Sequence, residues 1–157
     1  GANDVYIADT ADRQQLIWET RGAFLEALKA SSEMDEVDVV VPRTEIPHLI
    51  NYTQKLRAEY GVRVLSFGHA GDGNVHIYIL RDNLPQDKWQ QVLPEIMQKL
   101  YDKGQELGGQ VSGEHGIGFA KKEYLWHSLG ETQMRLQRSI KEAFDPKGLL
   151  NPHKVVS

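Results

Sequence analysis

Apolar and polar positions alternate along this chain in two rhythms, a helical one near 3.6 residues and short β-branched runs, separated by connectors rich in glycine. Val5-Tyr6-Ile7-Ala8 reads as a short strand. Asp9, Thr10 and Asp12 then offer N-caps for a helix running to about Ala30, with Leu16, Ile17, Phe24, Leu25 and Leu28 as its apolar stripe. Arg21 stands four residues after Ile17 and three before Phe24, which puts a permanent positive charge on the core-facing side. After an acidic connector from Ser31 to Glu36, Val37 to Val41 is a strand stopped by Pro42, and a second helix from about Glu45 carries Ile46, Leu49, Ile50, Leu56 and Tyr60 on one face and stops at Gly61. Val62 to His69 and Asn74 to Arg81 are β-type runs around Ala70-Gly71-Asp72-Gly73, where Asp-Gly predicts a two-residue hairpin turn. A third helix spans about Pro85 to Leu107, with Trp89, Val92, Leu93, Ile96 and Leu100 facing inward and Pro94 imposing a kink or break. Gly108-Gly109 ends it. Gln110-Val111-Ser112 is a short extended piece before the glycine-rich loop Gly113 to Gly118, a last helix covers about Glu131 to Phe144, and Asp145 to Gly148 is a turn.

The order β-α-β-α-β-β-α-loop-α mixes hairpin and crossover connections. It predicts one α+β domain over 1–157, a ferredoxin-like, mostly antiparallel sheet covered by helices on one face. The other face then needs a partner surface or a ligand. No repeat, linker or low-complexity segment is visible. The 157 residues include no cysteine, which excludes disulfide frameworks, zinc ribbons, iron–sulfur ligation and thiol catalysis and leaves His, Asp and Glu to hold any metal. A net charge of −4 without a basic stripe argues against a nucleic-acid partner. The longest apolar runs, such as Val39-Val40-Val41, are strand-length, far below the roughly 20 residues a membrane helix needs. Gly1-Ala2-Asn3-Asp4 lacks the features of a leader and suggests a chain excised from a longer one; the expected location is cytoplasmic, or peripheral to a membrane.

If Asp72 and Gly73 form the turn, His69 pairs directly with His76, and both point to one side of the sheet at a Cβ separation of about 4.5–5.5 Å, close enough to share a metal. Asn74 and Tyr78 join them on that face by the period of two. The plainer alternative is a pair of polar strand residues facing water. Glu114-His115 adds a carboxylate and a third imidazole in a loop whose glycines permit close backbone approach. His69, His76 and Glu114 would make a two-His, one-carboxylate set with open positions for a substrate, leaving His115 free as a base. The alternative there is a surface glycine turn. Arg21, if buried, needs an anion: a structural carboxylate or, with its bidentate fork, a substrate carboxylate. His48, His127 and His153 have no ligand-like neighbours, Lys121-Lys122 and Arg43 read as solvated charges, and the glycine spacings match neither the dinucleotide nor the P-loop pattern.

Several motifs together resemble a known family: Trp18-x-x-Arg21, Val41-Pro42-Arg43, Gly68-His69-Ala70-Gly71-Asp72-Gly73-Asn74-Val75-His76, Ser112-Gly113-Glu114-His115-Gly116-Ile117-Gly118, and Asp145 through Lys154 with its Asn151-Pro152. From about Ile7 to Lys154 the chain is similar to the C-terminal substrate or cap domain of FAD-linked oxidases of the vanillyl-alcohol-oxidase type, in the branch that holds D-lactate dehydrogenases, D-2-hydroxyglutarate dehydrogenase and the flavoprotein component of glycolate oxidase. The resemblance implies that His69, His76 and Glu114 bind a divalent metal, zinc first with iron or manganese as alternatives. It implies further that His115 is the catalytic base, that Arg21 and Asn74 hold the substrate carboxylate and hydroxyl, and that Asn151 lies near the flavin. Members specific for dicarboxylates carry a hydroxyl residue one turn after the helix Arg and a Lys just before the second strand. Leu25 and Asp35-Glu36 stand there, so a small monocarboxylic 2-hydroxy acid is expected.

The family binds FAD mostly through an N-terminal domain that this sequence does not contain. The expectation is therefore a domain that is inactive alone and works with that FAD-binding domain, with an electron-transfer flavoprotein or iron–sulfur subunit and a homodimer as further expected partners. Two readings compete with it: a non-catalytic metal- or ligand-binding α+β module, and a two-His, one-carboxylate iron oxygenase, for which the strands are too few.

Overall fold

A computed structural model of the chain describes residues 4–156, so the Gly1–Asn3 start, where no leader is expected, lies outside the described residues. The elements run α1 (Ala11–Ser31), β1 (Met34–Val40), a single 3-10 turn (Arg43–Glu45), α2 (Ile46–Tyr60), β2 (Arg63–His69), β3 (Asn74–Leu80), α3 (Gln86–Glu106) and α4 (Lys122–Phe144). The strands form an antiparallel sheet in the order β1-β3-β2, so α2 carries the chain across β3. Gln110, just past α3, adds an isolated antiparallel bridge to Val40 on the outer side of β1. This is the ferredoxin-like order with its fourth strand reduced to one bridge.

The period of two divides the sheet between two environments. Val37, Val39, Val64, Val75, Ile77 and Ile79 point to the face covered by α2 and α3 and pack with Leu49, Leu56, Trp89, Ile96 and Leu100 into the core. Gly104 lets α3 come close, since a Cβ there would lie 2.5 Å from Cγ2 of Val39. The opposite face carries Glu36 and Asp38 of β1, Phe67 and His69 of β2, and Asn74, His76 and Tyr78 of β3. α2 ends as predicted, on Gly61 at φ 64° with its N–H bonded to the Arg57 carbonyl. Among the described residues no helix is long and apolar enough to cross a membrane.

Four expectations need correction. Val5, Tyr6 and Ile7 form no strand and are 76–89% exposed, because no described sheet edge pairs with them. α1 forms, capped by Thr10, whose hydroxyl accepts from the Arg13 N–H, but none of its residues is buried: Leu16 is 62% and Ile17 55% exposed. Arg21 is therefore not a buried charge; it is exposed, 5.8 Å over the Trp18 ring. An apolar stripe identifies the side of a helix that gains from burial, and α2 and α3 already fill the core face of the sheet. The third correction is at Pro94, where of the two expected outcomes the break does not form: α3 runs on through the proline. The fourth is the last helix, which begins at Lys122, before the expected Glu131, and bends at Gly130 (φ 72°, ψ 173°).

Candidate functional site

The hairpin closes through four residues rather than two. Asp72 N–H donates to the His69 carbonyl at 2.9 Å and Gly73 N–H to that of Ala70 at 3.3 Å, with Gly73 at φ 78°. His69 therefore faces Asn74, and His76 faces Phe67, in place of the predicted direct His69–His76 pair. The slip is by an even number of residues, so neither imidazole changes face. They become diagonal neighbours, ring centroids 5.8 Å apart.

Glu114 completes the expected set from the glycine loop. Its Oε1 lies 3.0 Å from His76 Nε2 and 3.4 Å from His69 Nε2. The three residues present ligand atoms within 4.8 Å of one another. His115 stacks on His76 at 4.7 Å between centroids and 23° between planes, its Nε2 3.7 Å from Glu114 Oε1. On the opposite side of this stack, Glu36 Oε1 sits 2.9 Å from His76 Nδ1 and 3.3 Å from His115 Nδ1. Tyr78 donates its hydroxyl to the same oxygen at 3.2 Å. Burial first, and then Glu36, raise the Tyr78 phenol well above its ordinary value, which keeps it a donor.

What holds Glu114 and His115 in place is Asp38, fully buried in β1. Its Oδ2 accepts from the Ser112 hydroxyl at 2.8 Å and from the backbone N–H groups of Gly113, Glu114 and His115 at 3.2, 3.2 and 2.9 Å. Lys121 adds its ammonium at 3.5 Å. Successive N–H groups turned on one carboxylate form an anion nest, here filled from within the chain. Burial pushes the Asp38 carboxyl up, but the His115 N–H, the Ser112 hydroxyl, the Glu114 N–H and Lys121 outweigh it and bring it from 3.8 down to about 2. A depressed folded-state value stabilises the protein above the unfolded pKa and is lost as pH falls through the folded one. Asp38→Asn should accordingly lower stability near neutral pH, and its deficit relative to wild type should shrink by about 1–2 kcal/mol between pH 5 and pH 2. Urea titrations of both proteins at the two pH values check this; a deficit independent of pH would mean that the Asp38 charge does not organise the loop.

Glu36, Asp38, Lys121 and Tyr78 take parts that sequence reasoning alone does not assign them. One signal points to two of them: Glu36 and Asp38 alternate with valines, placing two carboxylates on one strand face. Of the other predicted residues, Asn74 is on the site face but buried beneath the loop, where a Cβ on Gly113 would come within 2.4 Å of Asn74 Oδ1, an atom with no hydrogen-bond partner among the described residues. Arg21 is one turn before Phe24, whose ring contacts Phe67 at 6.3 Å, and Phe67 in turn neighbours His76 at 6.5 Å. Asn151 is exposed at φ 46° in the C-terminal segment, which is tied to the glycine loop where Val155 N–H donates to the Gly118 carbonyl at 2.8 Å.

The chain belongs to the family described as FAD linked oxidases, C-terminal domain, whose profile matches residues 1–155. It is 47% identical over 99% of its length to a D-lactate dehydrogenase of Anaerostipes hadrus and 39% identical over 99% to a D-lactate dehydrogenase of Archaeoglobus fulgidus. It is also 34% identical over 98% of its length to the glycolate oxidase subunit GlcD of Bacillus subtilis. The chain spans about a third of these relatives: 33%, 34% and 33% of their respective lengths.

Proposed function

We propose that this chain is the substrate- and metal-binding domain of an FAD-dependent dehydrogenase or oxidase of small 2-hydroxy acids, of the D-lactate or glycolate type. The observation that carries the reading is the convergence of His69, His76 and Glu114 on the sheet face away from the core, with His115 stacked beside them. The donor set, two imidazoles and a carboxylate, suits zinc in a three-ligand catalytic arrangement and is also compatible with iron or manganese. When bound, the metal would make a chelated hydroxyl more acidic, and the flavin would accept the hydride from the carbon that bears that hydroxyl. His115 takes the hydroxyl proton at Nε2, with Nδ1 turned to Glu36. Asn74, with its unpartnered Oδ1, is the residue proposed for the substrate hydroxyl and Arg21 for the carboxylate, while Asn151 is proposed near the flavin. The FAD-binding part is proposed to belong to a further domain, and the name of the matched family and the length of the relatives support that.

The test is anaerobic bleaching of the flavin in the flavoprotein that carries this domain. D-lactate or glycolate should bleach it, and removal of metal by a chelator should stop the bleaching until metal is restored. Bleaching that survives both chelation and His76→Ala would contradict the reading. A protein that binds metal at this face and is never bleached by any 2-hydroxy acid would be a metal-binding module instead.

Arg21→Lys gives a finer expectation. It keeps the charge and loses the planar fork, so kcat/KM for the hydroxy acid should fall about ten- to a hundredfold. Because α1 buries none of its residues, the thermal midpoint should hardly move. Steady-state kinetics and a melting curve on the same sample check both; unchanged kinetics would remove Arg21 from the site.

A further inference from the structure

His76 and His115 lie nearly parallel, each spanning the gap between the same two carboxylates. Both Nδ1 atoms approach one oxygen, Glu36 Oε1, at 2.9 and 3.3 Å, and both Nε2 atoms approach Glu114 Oε1, at 3.0 and 3.7 Å. A neutral imidazole has one N–H donor and one lone pair, and the carboxylate facing a nitrogen decides which is which. Glu114 also lies against His69 and is supplied by a loop, whereas Glu36 is carried by a sheet strand and steadied by the Tyr78 hydroxyl at 3.2 Å.

We infer that Glu36 is the positioning residue that sets both imidazoles at once: it accepts the Nδ1–H of His76 and of His115 through one oxygen, so both Nε2 lone pairs face the substrate side. This rests on the reading of His76 as ligand and His115 as base, and it assigns the two roles a common origin. A partner on the far nitrogen fixes ring orientation and raises the basicity of the ligating one. Here the same partner does so for the base. Ligand and base therefore cannot be oriented independently: moving Glu36 turns both rings. The groups that face Glu36 are His76, His115 and Tyr78, with Asp38 two residues along the same strand face and its Oδ1 3.9 Å from His76 Nδ1. Asp38 is engaged by the loop N–H groups through Oδ2, and its Oδ1, buried and without a hydrogen-bond partner among the described residues, stands beyond hydrogen-bond distance of His76 Nδ1, which leaves Glu36 as the acceptor for the rings.

The direct readout is the tautomer of each ring, taken from long-range proton–nitrogen correlation spectra of the metal-free chain at a pH where both rings are neutral. Both His76 and His115 should carry the proton on Nδ1 in the wild type. In Glu36→Ala at least one should move to Nε2–H, and Glu36→Gln, whose amide oxygen can still accept, should restore Nδ1–H. Rings that keep their tautomers in Glu36→Ala would overturn the inference. Zinc titration supplies the second arm. Glu36→Ala should weaken zinc about 10- to 100-fold with little change in the thermal midpoint, and Glu36→Gln should recover most of that loss. Equal zinc affinity in wild type and Glu36→Ala would also overturn the inference while leaving the metal site intact. A wild-type chain that takes up no zinc defeats the underlying reading instead, and the tautomer comparison still decides the role of Glu36.

Discussion

Replacing His76 with alanine should weaken zinc by about a hundredfold or more, the largest effect expected of any single change on the site face. His76 is buried, sits on the central strand, and is shared by two groups of close ligand atoms, His69–His76–Glu114 on its Nε2 side and Glu36–His76–His115 on its Nδ1 side. Removing it leaves His69 and Glu114 as a two-ligand remnant, and it also deprives the His115 ring of its stacking partner. His127 provides the control, since it is exposed on α4 and its nearest carboxylate is Asp102, 3.6 Å away. His127→Ala should bind zinc as the wild type does. Isothermal titration of the dialysed proteins measures both, with circular dichroism to show that the variants are folded. Undiminished affinity in His76→Ala would remove the metal from this face.

The largest stability effect is expected in the hairpin loop that aims His69 and Asn74. Gly73 has φ 78°, and a Cβ there would lie 2.1 Å from the carbonyl oxygen of Val41. That atom is backbone, and the Gly73 carbonyl in turn accepts the Val41 N–H at 3.0 Å, so the chains cannot part without losing a bond. Gly73→Ala should cost about 2–4 kcal/mol, through backbone strain together with the clash. Gly71, two residues earlier, has open space around its Cα and no left-handed φ. Gly71→Ala should be neutral, or stabilising by up to about 1 kcal/mol because it restricts the unfolded chain. Urea denaturation of the pair separates close approach from a general intolerance of side chains in the loop. Similar losses in both variants would contradict the close approach at Gly73.

The legibility of the chain follows the range of the interactions involved. α2, α3 and the β2–β3 hairpin depend on residues within one or two turns of one another, and their apolar spacing and glycine stops are enough to place them. The predicted hairpin register is off by one loop type, yet the face of His69 and His76 is right, because strand side chains repeat every two residues and the slip is even. The role of Asp38 is illegible for the opposite reason. Its alternation with valines gives its face but says nothing about the donors it will meet, and those are 74–77 residues further on. α1 is legible as a helix and illegible as a surface: its stripe is real, but its only ring contact with the sheet is Phe24 on Phe67 among the described residues. The first half of α4 escapes prediction because Gly130 interrupts the pattern there, and apolar spacing places the start of the helix after that glycine.

Whether His69, His76 and Glu114 together hold a metal on which a 2-hydroxy acid is presented to flavin is tested most directly by crystals of the chain grown with zinc and glycolate and measured at the zinc absorption edge. The expected result is one anomalous peak at about 2.0–2.2 Å from Nε2 of His69, Nε2 of His76 and a Glu114 carboxylate oxygen, with glycolate oxygens completing the coordination and His115 facing the hydroxyl. An anomalous map with no peak between these three residues, or zinc held there with glycolate bound elsewhere, would contradict it.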